Sequence, residues 1–304
     1  MQSARLLFVF LIASVTAIAQ QPFIQILGVA QDGGYPHIGC EKACCAPAWQ
    51  DAAKKQFVVS LALVDPTTKQ WWLFEATPDI KEQLHAFQQS TKGAYLFLPT
   101  GIFITHAHMG HYTGLMQLGR EALGSKQVPV YALPRFEKYL RENGPWSQLV
   151  KLNNIQLKQL KTDQPAALTE NIQVTAFTVP HRDEYSETAG FKIEFSGKQV
   201  LFIPDIDKWE KWNVKIEDLV EQVDVALVDA TFYTATELSN RSMSEIPHPL
   251  VAETMTRFES KPDLKSRIYF IHFNHTNPLL WNKTEQDELR KQGFNVAETG
   301  MIIR

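Results

Sequence analysis

The chain has little cysteine, little imbalance of charge and almost no long apolar runs, and each shortage excludes something. Thirty Lys and Arg against 33 Asp and Glu leave a net charge of −3 over 304 residues. No Lys/Arg-rich run breaks that balance, so nucleic acid is not an expected partner. No Pro/Gly/Ser-rich linker, low-complexity tract or short-period repeat divides the chain, which leaves a single domain. Only three cysteines occur, Cys40, Cys44 and Cys45, all within GCEKACCAP. An odd, clustered set does not make a simple disulfide framework. It leaves two readings: one disulfide with a spare thiol, or a metal site completed by a fourth ligand, since thiolates hold zinc tetrahedrally.

The one apolar run is at the start. MQSARLLFVFLIASVTAIAQQ combines Arg5, an apolar stretch from Leu6 to Ala19 and the small-x-small sequence Ala17-Ile18-Ala19. The stretch is short for a membrane helix and has the layout of a secretory signal peptide. The expectation is a signal peptide over 1–19 and a mature domain over 20–304, exported to a bacterial periplasm, with no membrane span after cleavage.

Beyond Pro22, short apolar strands come in runs with amphipathic helices between them. FIQILGVA, FVVSLALV, WWLFEA and GIFITHA read as strands of the first half; IQVTAFTVPH, TAGFKIEFS, KQVLFIPD, VDVALVDA and RIYFIHF read as strands of the second. Helices are predicted over 77–89, with Thr77 as N-cap and Pro78 at the first position, and over 111–123, 133–143, 248–260 and 283–292. The pattern predicts a layered α/β domain.

Chemistry concentrates in ITHAHMGHYTGL, where His106, His108 and His111 fall within six positions. On an extended segment His106 and His108 point to the same side. A turn through Met109 and Gly110 brings His111 round to join them. Three converging imidazoles suit zinc, iron or manganese. Three more candidate ligands close apolar strands in the same way: His181 in FTVPHRDEY, Asp205 in VLFIPDIDKW and His272 in IYFIHFNH. His248 in EIPHPL begins a predicted helix, where capping and substrate contact are equal expectations. His85, within a helix, is expected at the surface.

These segments resemble the metallo-β-lactamase fold superfamily, whose signature is His-x-His-x-Asp-His after a strand. Within it LGVAQDGGYPHIGC, THAHMGHYTGL, PHRDEYSETAGF, DATFY and NHTNPLL look like the coenzyme PQQ synthesis protein B branch, similar in turn to the cyclic-phosphodiesterase of phosphonate breakdown. The resemblance spans about Phe23 to Arg304. It implies an αβ/βα sandwich of two packed sheets flanked by helices. It also implies one metal at His106, His108 and His181, and a second at His111 and His272, with Asp205 bridging. The implied activity is metal-dependent hydrolysis of a small anionic phosphodiester or ester, through a metal-bound hydroxide. The alternatives are an iron oxygenase of the PQQ pathway and a non-catalytic metal- and anion-binding domain.

Gly110 departs from the signature, because it stands where a carboxylate is expected. Asp32, in the turn QDGG, is the preferred substitute, ahead of Asp207 and Asp183. Restoring an acid at position 110 is expected to strengthen the second site unless Asp32 already fills that place. The resemblance also implies a separate structural zinc held by Cys40, Cys44, Cys45 and His275, with His37 as the reserve ligand. Adjacent Cys44 and Cys45 depart from the usual spacing there.

Overall fold

A computed structural model describes residues 21–237 and 246–304; the signal peptide predicted over 1–19 lies outside them. The first half forms β1 (Phe23–Gly28), β2 (Ser60–Asp65), β3 (Gln70–Phe74), β4 (Gly101–Phe103), β5 (Val128–Ala132) and β6 (Ile155–Gln159). The second forms β7 (Pro165–Thr169), β8 (Ile172–Val179), β9 (Thr188–Phe195), β10 (Lys198–Ile203), β11 (Val225–Asp229) and β12 (Ile268–Ile271), followed by the short β13 (Asn295–Val296) and β14 (Ile302–Ile303). They make two seven-stranded sheets, ordered β14-β1-β2-β3-β4-β5-β6 and β13-β12-β11-β10-β9-β8-β7. In each sheet one half pairs antiparallel and the other parallel, the change falling at β3 in the first and at β10 in the second.

Burial follows pairing. β8 alternates buried and partly exposed residues, as an antiparallel strand with one covered face does, whereas every residue of β11, between two parallel neighbours, is buried. The sheets pack face to face through aromatic side chains: Phe74 of β3 stacks on Phe103 of β4 at 4.9 Å, and both meet Phe191 of β9 edge-on. A second apolar cluster lies on the outer face of the first sheet, beneath the helices Ile80–Ser90, Pro134–Glu142 and Trp146–Lys151. Among the described residues no helix is long and apolar enough to cross a membrane.

Two predicted helices change. The first begins at Ile80 and not at Thr77, whose Oγ1 accepts from the Asp79 N–H at 3.0 Å and forms the turn before it. The helix predicted over 111–123 is a single turn, Met109–Tyr112, running into a 3-10 segment, Thr113–Leu118. Gly114 lies so close to the backbone at Ala76 and Thr77 that a Cβ would stand 2.1 Å from the Thr77 carbonyl oxygen. This approach pins the tightened segment to the end of β3.

Candidate metal centre

The carboxyl ends of the strands converge on one edge of the sandwich, the usual place for a ligand in an α/β sheet. Asp32 follows β1, His106 to His111 follow β4, His181 follows β8, Asp205 follows β10 and His272 follows β12. Ligand atoms of His106, His108, His181 and Asp205 lie within 4.8 Å of one another, and so do those of Asp32, His111 and His272. Asp205 joins the two groups. Its Oδ2 stands 3.2 Å from His181 Nε2, 3.4 Å from His106 Nε2 and 3.8 Å from His111 Nε2.

Surrounding groups decide which ring nitrogen faces inward. Thr105 Oγ1 lies 2.9 Å from His106 Nδ1, Asp207 Oδ1 3.2 Å from His181 Nδ1, and Thr231 Oγ1 3.0 Å from His272 Nδ1. Glu75, wholly buried, places Oε1 3.5 Å from His111 Nδ1. These four rings therefore present Nε2 to the centre. His108 is reversed: Glu184 Oε2 lies 3.1 Å from its Nε2, so Nδ1 faces inward, 3.1 Å from His181 Nε2. Such outer partners set tautomer and orientation for metal ligation.

Gly110 explains the position of Asp32. A Cβ built on Gly110 would stand 2.2 Å from Asp32 Oδ1 and 2.6 Å from Asp32 Cα. The loop after β1 has entered the volume of the missing side chain, and Asp32 Oδ1 lies 3.2 Å from His111 Nε2 and 3.8 Å from His272 Nε2. The two other acids considered for this place are elsewhere. Asp207 faces His181 Nδ1 and accepts from Lys211, and Asp183 accepts from the Thr188 hydroxyl.

Nε2 of His106, His111 and His272, Oδ1 of Asp32 and Oδ1 of Asp205 are buried without a hydrogen-bond partner. Leaving so many polar atoms unpaired is costly, and cations held by the two groups would satisfy the three Nε2 atoms and Asp32 Oδ1, while Asp205 Oδ1 faces His248. Burial and the neighbouring His111 hold His106 below its usual range, in the neutral form that ligates. Burial alone would raise Asp32, but His111 and His272 beside it hold the carboxyl well below the usual range. The donor set, imidazole with carboxylate, fits a metal cofactor.

His248 belongs to this centre. The nearby helix is capped at Leu250, which removes the capping expectation. Its Nδ1 donates to Asp229 Oδ2 at 2.8 Å and stands 3.2 Å from Asp205 Oδ1. Burial opposes its charge, yet Asp229 and Asp205 push it up to about 10. Backbone strain marks the same place: Glu75 and His272 have φ of 69° and 67°, in the left-handed region such residues avoid.

The cysteines form a second cluster with His275, ligand atoms again within 4.8 Å. The three thiols are unpaired here, with Cys40 Sγ 3.7 Å from Cys44 Sγ. Both adjacent cysteines join despite their spacing. Burial, then the neighbouring thiols, push Cys45 up to about 12; burial, then the charges of His37 and Lys42, bring His275 down to about 4. A cation would offset the mutual repulsion of the thiolates. His37 ligates nothing in this arrangement; its ring stacks on His275 at 4.3 Å. His85 is exposed, as expected.

Comparison with known proteins agrees with this fold. The chain is 28% identical over 315 residues to Coenzyme PQQ synthesis protein B of Pseudomonas protegens, covering 92% of this chain and 99% of that protein. It is 26% identical over 303 residues to the protein of the same name from Methylobacterium sp. (strain 4-46), covering 91% and 98%. Its fold is similar to that of zinc-bound PqqB from Methylobacterium extorquens, with a TM-score of 0.75, 22% identity and coverage of 93% and 99%. It is also similar to a diphosphatase from the PhnP family, with a TM-score of 0.65, 19% identity and coverage of 93% and 97%. The family model described as "Beta-lactamase superfamily domain" matches residues 70–273, a stretch that holds six of the seven converging ligands. With its paired sheets and its histidines at the strand ends, the chain belongs to the beta-lactamase superfamily.

Proposed function

We propose that the protein is an exported, zinc-dependent hydrolase that cleaves a small anionic phosphodiester or ester. The observation that carries this reading is that three buried histidines, His106, His111 and His272, aim unpartnered Nε2 atoms at one centre with the buried carboxylate oxygens of Asp32 and Asp205. In this reading His106, His108 and His181 hold one ion, Asp32, His111 and His272 hold a second, and Asp205 faces both. Cys40, Cys44, Cys45 and His275 hold a structural third. Bound metal would supply a water of lowered pKa and polarise the oxygen of the scissile group.

The remaining work falls to the chain. Thr105, Asp207, Glu75 and Thr231 orient four imidazoles, and Glu184 orients His108. His248 Nδ1 donates to Asp229 and stands 3.2 Å from Asp205 Oδ1, which fixes the orientation of the Asp205 carboxylate. The PhnP-family diphosphatase among the structural neighbours is in keeping with a phosphorylated substrate. Export rests on the composition of residues 1–19.

Metal analysis of purified protein, with a panel of chromogenic phosphodiester, ester and lactam substrates, tests the proposal. The expected result is three ions per chain and turnover of a phosphodiester or ester that chelation or His108→Ala abolishes. Fully loaded protein inert toward the whole panel would reject it. The name shared by the curated relatives favours a second reading, in which the same cleft handles coenzyme PQQ or a precursor. Tight binding of PQQ without hydrolysis of any panel member would select that reading.

A further inference from the structure

We infer that the Cys40, Cys44, Cys45 and His275 cluster sets the affinity of the second active-site ion, with His37 as the positioning residue between them. The inference rests on reading Asp32, His111 and His272 as that ion's ligands. Two of these three belong to segments that the cluster ties together. Asp32 lies eight residues before Cys40, and His272 lies three before His275. His106, His108 and His181 of the first site lie on neither segment.

Asp32 sits in a turn outside any strand, so its aim depends on what brackets it. On the amino side the Gln31 N–H donates to the Phe273 carbonyl at 2.8 Å, and the Phe273 N–H donates to that of Val29 at 2.9 Å. On the carboxyl side the Gly34 N–H donates to the Gln31 carbonyl at 2.7 Å and Tyr35 pairs with Gln56, and the side chain that backs the turn itself is His37. Its ring packs so closely on Gly33 that a Cβ there would stand 2.6 Å from His37 Cδ2. The same ring stacks on His275, and the His37 carbonyl accepts from the Cys40 N–H at 3.1 Å. A chain of contacts therefore runs from the cysteines through His275 and His37 to Gly33, next to Asp32.

A carboxylate on a helix behind His108 would be indifferent to this chain; one carried on a loop depends on it. Asp32, the three cysteines and His275 all lie outside residues 70–273, whereas the other active-site ligands lie inside that stretch. If the cluster comes apart, the pairings with Phe273 and of Tyr35 with Gln56 still keep the loop folded, but Gly33, next to Asp32, loses the backing of the His37 ring. Metal ligation tolerates displacements of only about 0.2 Å, so the second ion feels the change and the first does not.

The test is zinc competition against a chromogenic chelator, reading the two active-site dissociation constants separately in the full chain. Cys44→Ser should weaken the second ion by about tenfold or more, the scale of losing an orienting partner, and leave the first unchanged. His37→Ala keeps all four cluster ligands and should weaken the same ion by less; it decides the matter if Cys44→Ser does not fold. In an Asp32→Asn background neither change should cause further loss, because the coupling passes through Asp32. Unchanged second-site affinity in His37→Ala and Cys44→Ser, equal weakening of both sites, or additive losses with Asp32→Asn would each overturn the inference. If Asp32→Asn by itself leaves the second ion as tightly bound as before, the ligand reading is wrong and the inference falls with it.

Discussion

Replacing Gly110 with alanine adds one methyl group at the most crowded point of the centre. The new Cβ would begin 2.6 Å from Asp32 Cα and 2.2 Å from its Oδ1, whereas ordinary contact starts at 3.4 Å. The Asp32 backbone must retreat by 0.4 Å to leave the forbidden range below 3.0 Å and by 0.8 Å to reach ordinary contact at 3.4 Å, and a neighbouring Cα cannot evade by a rotamer change. That retreat is two to four times the spread of about 0.2 Å expected of metal–ligand distances. Affinity for the second ion should fall by roughly 10- to 100-fold, or about 1.4 to 2.8 kcal/mol at about 1.4 kcal/mol per tenfold. Overpacking should cost a further 1–3 kcal/mol or so of stability. Chelator competition reads the first quantity and thermal unfolding the second, with first-site affinity as the internal control. The same clash reverses the expectation for Gly110→Asp: an acid there displaces the one already present, and second-site occupancy should drop. A Gly110→Ala protein that binds its second ion as tightly as wild type would refute the claim that Asp32 holds it.

Further tests address the groups around the ligands. Glu75→Gln keeps the shape but removes the charge beside His111 Nδ1, and should loosen the second ion by about tenfold while sparing the first. His275→Ala should remove about one ion per chain and lower the melting temperature, with metal analysis and calorimetry as the readouts. In metal-free protein, His248 is raised from 6.5 to about 10 and Asp229 lowered from 3.8 to about 2. Their pairing should stabilise the fold fully between pH 3.8 and 6.5, fading as pH rises toward about 10 or falls toward about 2. Unfolding of chelated protein across that range should show the fade in wild type and not in His248→Gln. Export predicts that periplasmic protein begins near Gln20, and an intact mass that retains Met1 would contradict it.

Much of the fold could be read from hydrophobic pattern, and its gaps have physical causes. β5 contains Pro129, which breaks a strand pattern, and β6 and β7 are partly exposed edge strands whose side chains alternate weakly. β13 and β14 are two residues each, too short for any periodicity. The stretch after His111 has apolar spacing that suits an α-helix and a 3-10 segment equally, and only the contact of Gly114 with the end of β3 selects the tighter form. In the candidate site, Asp205 stood out because it closes an apolar strand. The same signal was available for Glu75 at the end of WWLFEA and for Asp229 at the end of VDVALVDA. At the end of a strand either acid reads as an ordinary terminus, yet both are wholly buried, Glu75 against His111 and Asp229 against His272.

Asp32 posed a different problem. Pattern flags an acid among glycines, and the metal-site signature flags a glycine in place of an acid, but 78 positions separate them. Nothing local says that these are two halves of one feature. The fold joins them by pairing the segment after β1 with Phe273, which brings Asp32 over the turn after β4. Once the loop is there, residue 110 has no room for a side chain, and without a side chain at 110 the loop can come close enough to offer its own carboxylate. The glycine at 110 and the acid at 32 are therefore one feature in space: the loop carboxylate stands beside His111 and His272 in the volume that a side chain on the helical turn would fill.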